Sequence, residues 1–68
     1  MMQLRVNGVT EDVAAKTVSE LLDSRGIDPT TRFLAVAING SVVRRSDWSS
    51  QSLGPDDDVE IVRPFSGG

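Results

Sequence analysis

Asp57-Asp58-Val59-Glu60-Ile61-Val62-Arg63-Pro64 is the stretch that decides the fold. Within it Val59-Glu60-Ile61-Val62-Arg63 reads as a strand, with Val59 and Ile61 on one face and Glu60 and Val62 on the other. The residues before it, Gly54-Pro55-Asp56-Asp57-Asp58, are a turn and not a partner strand. The closing strand therefore belongs to no hairpin of its own. Its partners have to come from earlier in the chain.

Upstream lie two hairpins and a helix. Gln3-Leu4-Arg5-Val6 alternates polar and apolar residues, Asn7-Gly8 suits a two-residue type I′ turn, and Val9-Thr10-Glu11-Asp12-Val13 returns. Phe33-Leu34-Ala35-Val36-Ala37-Ile38 is a second apolar run, closed by Asn39-Gly40 and followed by Ser41-Val42-Val43-Arg44 as its partner. Between them Thr17-Val18-Ser19-Glu20 matches a capping box, with Thr17 as N-cap and Glu20 reaching back to it. Val18, Leu21 and Leu22 share one helical face, and Gly26 stands where a left-handed residue ends a helix, with Ile27 as the accompanying apolar contact. Asp28-Pro29 forbids continuation, which predicts one helix of roughly eight to ten residues.

One helix with one apolar stripe must lie across one face of the sheet. The closing strand is expected to insert between the hairpins, parallel to the first strand, giving an α+β fold of the β-grasp type: a five-stranded mixed sheet with one main helix packed on one face. Parity places Leu4, Val6, Leu34, Val36, Ile38, Val59 and Ile61 beneath the helix. Arg5, Ala35, Ala37, Glu60 and Val62 fall on the opposite face, a shallow surface flanked by charge. Such a face serves equally as ordinary wet sheet or as a partner-docking face. The globular domain is expected to span residues 1–64 and a flexible tail residues 65–68.

Composition narrows the function. Sixty-eight residues hold one domain, and a chain of this size buries only about 60% of its unfolded surface. Neither cysteine nor histidine is present, which removes disulfides, thiolate metal sites and the Ser-His and Cys-His nucleophile arrangements. Catalysis by this chain alone is not expected. Ten acidic against seven basic residues give a net charge of −3, a poor match to a phosphate backbone. No long apolar run or signal-peptide pattern argues for a membrane or for export, so a cytoplasmic location is expected. The aspartate run Asp56-Asp57-Asp58 lacks the further oxygen ligands at fixed spacing that metal loops add, and no metal is assigned to it. Arg45-Ser46-Asp47-Trp48-Ser49-Ser50-Gln51-Ser52 is polar and irregular, with room for one short helical turn. Trp48, the sole tryptophan, is expected to lid one end of the core rather than to contact a ligand.

What remains is the tail, Phe65-Ser66-Gly67-Gly68. Two glycines without Cβ atoms form the slimmest backbone a chain offers, able to thread into another protein's active site and present the Gly68 carboxylate. A frayed terminus is the alternative. A free α-carboxylate titrates at roughly 3.3–3.7, so at neutral pH it is an anionic nucleophile. Four residues beyond Pro64 reach at most about 13–14 Å, enough to cross an active-site channel.

Three segments carry a resemblance over essentially the whole chain: Thr17-Val18-Ser19-Glu20-Leu21-Leu22, Val36-Ala37-Ile38-Asn39-Gly40, and Asp57-Asp58-Val59-Glu60-Ile61-Val62 running on to Gly67-Gly68. Together they resemble the ThiS family of small bacterial sulfur carriers for thiamin biosynthesis. The terminal Gly-Gly is shared with ubiquitin and with the small subunit of molybdopterin synthase. Val42-Val43-Arg44-Arg45-Ser46-Asp47-Trp48 is more specific to ThiS, although the family often has proline where Arg44 stands.

The resemblance implies a co-substrate, monomeric when free, that binds no cofactor itself. An adenylating enzyme of the ThiF-like, ubiquitin-activating type would use ATP to adenylate the Gly68 carboxylate. A sulfur donor, a cysteine desulfurase or rhodanese-like protein, would convert it to a thiocarboxylate, and a ThiG-like thiazole synthase would consume the sulfur. Other readings are a carrier for molybdopterin or another thio-metabolite pathway, a ubiquitin-like protein modifier, and an interaction module without tail chemistry. The one lysine, Lys16, leaves a modifier little scope for chains.

Overall fold

The computed structural model describes residues 1–64. Strand β1 (Met2–Val6) and strand β2 (Val9–Val13) form the first hairpin, in register from Met2↔Val13 to Val6↔Val9. Asn7 and Gly8 have φ of 51° and 82°, as a type I′ turn requires. Strand β3 (Ala35–Ile38) and strand β4 (Ser41–Val43) form the second, around Asn39 and Gly40 at 52° and 83°. Strand β5 (Asp58–Val62) enters between them, parallel to β1 and antiparallel to β3. The sheet order is β2-β1-β5-β3-β4, the mixed five-stranded β-grasp sheet expected from the sequence.

Helix α1 (Val18–Ser24) crosses one face of this sheet. Its first N–H groups, which have no partner inside a helix, all find one. Val18 N–H donates to Gln51 O (3.1 Å), Ser19 N–H to Trp48 O (3.0 Å), and Glu20 N–H to Thr17 Oγ1 (3.2 Å). Glu20 reaches back one residue further than a capping box requires, its Oε1 accepting from Lys16 N–H at 2.9 Å. An antiparallel bridge between Thr17 and Ser52, bonded through Val18 N–H and Lys16 O, ties this start of the helix to the segment before β5. At the other end Gly26 N–H donates to Asp23 O (3.0 Å) and Ile27 N–H to Leu22 O (2.9 Å), with Gly26 at φ 68°. This is a Schellman ending, and the buried Ile27 supplies its apolar contact. The closure comes early. The helix has seven residues, fewer than the eight to ten expected.

All seven residues expected under the helix are buried, Leu34 among them although it precedes β3, as are Val18, Leu21 and Leu22. Val13, Ile27, Leu53 and Trp48 complete the core. Trp48 follows a short 3-10 turn, Arg45–Asp47, and lids the core as expected. Its Nε1–H donates to Val43 O at 2.9 Å, and the Arg45 guanidinium lies 4.7 Å from its ring.

Strand limits depart from the sequence reading by a residue or two. β5 begins at Asp58, because Asp58 already pairs with Arg5, and it stops at Val62, opposite the first residue of β3. Arg44 leaves β4 to precede the 3-10 turn. Phe33 lies outside β3 with φ of 64°, since the chain is still turning before Ala35 meets its first partner, Val62.

Candidate functional site

The candidate site is the end of β5, where the chain leaves the sheet through Arg63 and Pro64 toward the tail. Few segments are held as firmly as this strand. Arg5 N–H donates to Asp57 O (2.9 Å) and Asn7 N–H to Val59 O (2.8 Å) from the β1 side. β1 ends at Val6, yet the Asn7 side chain carries the ladder on, Oδ1 accepting from Ile61 N–H at 2.8 Å. On the β3 side Asn39 does the same. Its N–H donates to Asp58 O (2.8 Å), its Oδ1 accepts from Asp58 N–H (3.0 Å), and its Nδ2 donates to Asp57 Oδ1 (3.0 Å). The first residue of each hairpin turn thus grips β5 from its own side. The tail is rooted on a strand fixed along both edges.

The aspartates before β5 have structural partners. Asp57 Oδ2 accepts from Gly54 N–H at 2.7 Å, and Asp58 Oδ2 pairs with Arg5 Nη2 at 3.2 Å. These contacts close the turn that feeds the strand.

The sheet face away from the helix carries the residues that parity placed there. Arg5, Ala35, Glu60 and Val62 are exposed and Ala37 is half-buried. Register aligns them in rows: Ala35 beside Val62, Ala37 beside Glu60, and Arg5 beside Asp58. Val42, across from Ala37, is 78% exposed and belongs to the same face. Val42 and Val62 give that face exposed apolar area, bounded by Arg5, Asp58 and Glu60. Val42 was recoverable from sequence, because a two-residue turn at Asn39-Gly40 forces Ala37 opposite it. The clamping role of Asn7 and Asn39 had no such signal, since a turn asparagine looks the same whether or not its amide is used. Phe65, Ser66, Gly67 and Gly68, the remaining sequence-predicted site residues, lie outside the described residues.

Beside this exit runs the loop from Asp28 to Leu34. Asp28 Oδ1 accepts from Thr30 Oγ1 (2.7 Å) and Thr30 N–H (2.8 Å). Those two bonds, aided by the positive charge of Arg45, hold its carboxyl below the usual aspartate range. Arg45 Nη2 also donates to Thr31 O at 2.8 Å, tying the loop to the 3-10 turn. Among the described residues no helix is long and apolar enough to cross a membrane.

The ThiS family model matches residues 4–68. The chain belongs to the ThiS family. That places it among the sulfur carriers of thiamin biosynthesis. The crystal structure of the thiamine biosynthesis protein ThiS from Geobacter metallireducens is similar at 30% identity and a TM-score of 0.78, covering 98% of this chain and 100% of that one. The solution structure of a thiamine biosynthesis protein from Geobacter metallireducens is similar at 31% identity and a TM-score of 0.77, covering 98% and 88%. No curated protein matches the chain. The arginine at position 44, where ThiS proteins often have proline, sits at φ −64° and ψ 144°. A proline ring holds φ at that value, so the backbone is the one the family's proline would impose.

Proposed function

We propose that this ThiS-family chain carries sulfur on its tail as a Gly68 thiocarboxylate for thiazole formation. The carboxylate attacks the α-phosphate of ATP on a ubiquitin-activating-type enzyme, pyrophosphate leaves, and the resulting acyl-adenylate is an electrophile. The terminal sulfur of a persulfide donor then attacks the acyl carbon and AMP departs, and a second thiol cleaves the resulting acyl disulfide, leaving the thiocarboxylate and a disulfide on the donor side. Thiazole synthase takes up that sulfur. The chain contributes position and reach, and the catalytic groups belong to its partners. Without histidine or cysteine it offers no other side chain suited to accepting the sulfur.

The observation that carries the reading is the anchoring of β5. A strand clamped by Asn7 on one edge and Asn39 on the other gives the tail a fixed origin. The two glycines then allow close approach to the acyl carbon. Deleting Gly68 withdraws the carboxylate by about 3.5 Å, and misplacement of that size costs orders of magnitude in rate. Incubated with ATP, the adenylating enzyme and a sulfur donor, the intact chain is expected to gain the mass of one oxygen-to-sulfur exchange. The shortened chain is expected to bind the enzyme and remain unmodified. Equal thiocarboxylation of both, read by intact-protein mass spectrometry, rules the reading out.

The open sheet face is proposed as the docking surface for the adenylating enzyme. Val62 is the apolar residue on it nearest the tail and is 57% exposed. Val62→Asp is expected to keep the thermal midpoint and to weaken the complex. Arg5 is the poorer probe, because replacing it also breaks the pair with Asp58. Undiminished affinity of a folded Val62→Asp variant removes this face from the scheme.

A further inference from the structure

Four non-glycine residues among those described have positive φ: Asn7, Asn39, Asp56 and Phe33. Asparagine and aspartate tolerate the left-handed region through their short polar side chains, but a bulky aromatic there is a strained outlier. Among the described residues, burial does not compensate Phe33 for its φ of 64°, because the side chain is 76% exposed. Strain that persists at an exposed position points to a use outside the folded chain. The loop is nonetheless held in place, by the Asp28–Thr30 bonds behind it and by Arg45 Nη2 on Thr31 O. The Arg32 guanidinium lies 5.3 Å from the Phe33 ring centroid, so the ring is presented together with a positive charge.

Its position gives the use. Phe33 stands two residues before Ala35, and Ala35 pairs with Val62, the last residue of β5. The strained aromatic therefore flanks the point where the chain leaves the sheet for the tail. Charge is uneven along the sheet. Arg32, Arg44, Arg45 and Arg63, four of the seven basic residues, follow or precede the strand ends at this side. Asp28 and Asp47 are the acids on the same loops, whereas Asp56, Asp57, Asp58 and Asp12 gather toward the opposite end. A net negative domain thus presents a basic corner where its tail departs.

We propose that Arg32 and Phe33 form a docking anchor for the enzyme that receives the tail, the phenyl ring entering an apolar pocket rimmed by carboxylates that face the arginines. The identity of that enzyme rests on the sulfur-carrier reading. An exposed aromatic flanked by arginine has the composition of an interface hot spot, and the surrounding arginines steer approach to an acidic surface. The backbone beneath the ring is already held in its turn, so binding does not have to order it.

The test uses the full chain and the purified adenylating enzyme, with Kd measured by calorimetry at low and high salt. Phe33→Gly and Phe33→Asn both accept the left-handed backbone, so their thermal midpoints are expected to equal or exceed that of the parent. Each is expected to weaken binding roughly tenfold or more. Arg32→Glu is expected to weaken binding and to flatten its salt dependence. Parental affinity in either Phe33 variant overturns the anchor, and so does a lowered midpoint in both, which makes Phe33 a residue of the fold. A parent chain that fails to bind overturns it as well. A parent that binds but never gains sulfur mass overturns the carrier reading instead, and the variant affinities still decide the anchor.

Discussion

Asn7 shows how much one side chain does in a domain of this size. Its backbone makes the turn, with φ of 51°, and its Oδ1 satisfies the half-buried N–H of Ile61, 54 residues away. Asn7→Gly keeps the turn, since glycine is at ease in a type I′ position, but leaves that N–H without its acceptor. An orphaned donor of this kind costs about 1–3 kcal/mol, a large share of a small domain's stability. Asn7→Asp retains an acceptor and the tolerance of positive φ, so its loss is expected to be the smaller. Urea denaturation of the two variants checks this. Equal midpoints for Asn7→Gly and the parent would show that the side-chain bond contributes nothing. The turn role was legible because Asn-Gly between alternating runs has one good explanation. The clamp role was not, because its partner arrives only when β5 is inserted. Phe33 failed to be legible for a related reason: an aromatic abutting an apolar run reads as strand, and only the turn geometry removes it.

At the scale of elements, local rules carried the reading as far as local chemistry reaches. The hairpins are fixed by two-residue turns, so their register and faces follow from parity, and Leu4, Val6, Val36 and Ile38 are buried as expected. The helix ends are fixed by Thr17 and Gly26, which act on immediate neighbours. Contacts supplied from a distance were invisible. Trp48 O and Gln51 O cap the helix from a segment whose polar composition gives no hint of it, and Leu53 enters the core behind them. Arg44 offers a test of the join between β4 and that segment. Its φ of −64° suits proline, and Val43 before it is extended, as a residue preceding proline must be. β4 is an edge strand, and the alternation of bonded and non-bonded pairs from Ile38↔Ser41 turns the Arg44 N–H away from β3. Arg44→Pro is therefore expected to preserve the fold and raise stability by about 0.4–1 kcal/mol through the unfolded chain. A lowered denaturation midpoint would mean that the Arg44 N–H has a partner.

At the scale of the whole molecule, residues 1–64 form a packed unit that precedes the segment proposed to react. Among the described residues every core residue lies between Leu4 and Ile61, and the last sheet pair is Ala35 with Val62. The mixed sheet itself was legible only by elimination: a fifth strand without a hairpin had one place left, between β1 and β3, and the order β2-β1-β5-β3-β4 puts it there. That insertion makes β5 the central strand, paired along both edges, so the strand that leads into the tail is an interior one. A chain ending at Pro64 keeps every hydrogen bond and apolar contact described here. It is expected to unfold at the same midpoint as the full chain, within the few tenths of a kcal/mol that surface changes cause. It is also expected to bind the adenylating enzyme through the folded domain, because the proposed docking residues, Val62 and the Arg32–Phe33 corner, remain. Adenylation should be lost, since the carboxylate now sits some 13–14 Å short of the reacting phosphate at full extension. Thermal melts, calorimetry and a pyrophosphate-exchange assay on the shortened chain separate these three properties. A fall in the midpoint would place residues 65–68 within the folded unit. Lost binding with an unchanged midpoint would make the tail, and not the domain, the main source of affinity.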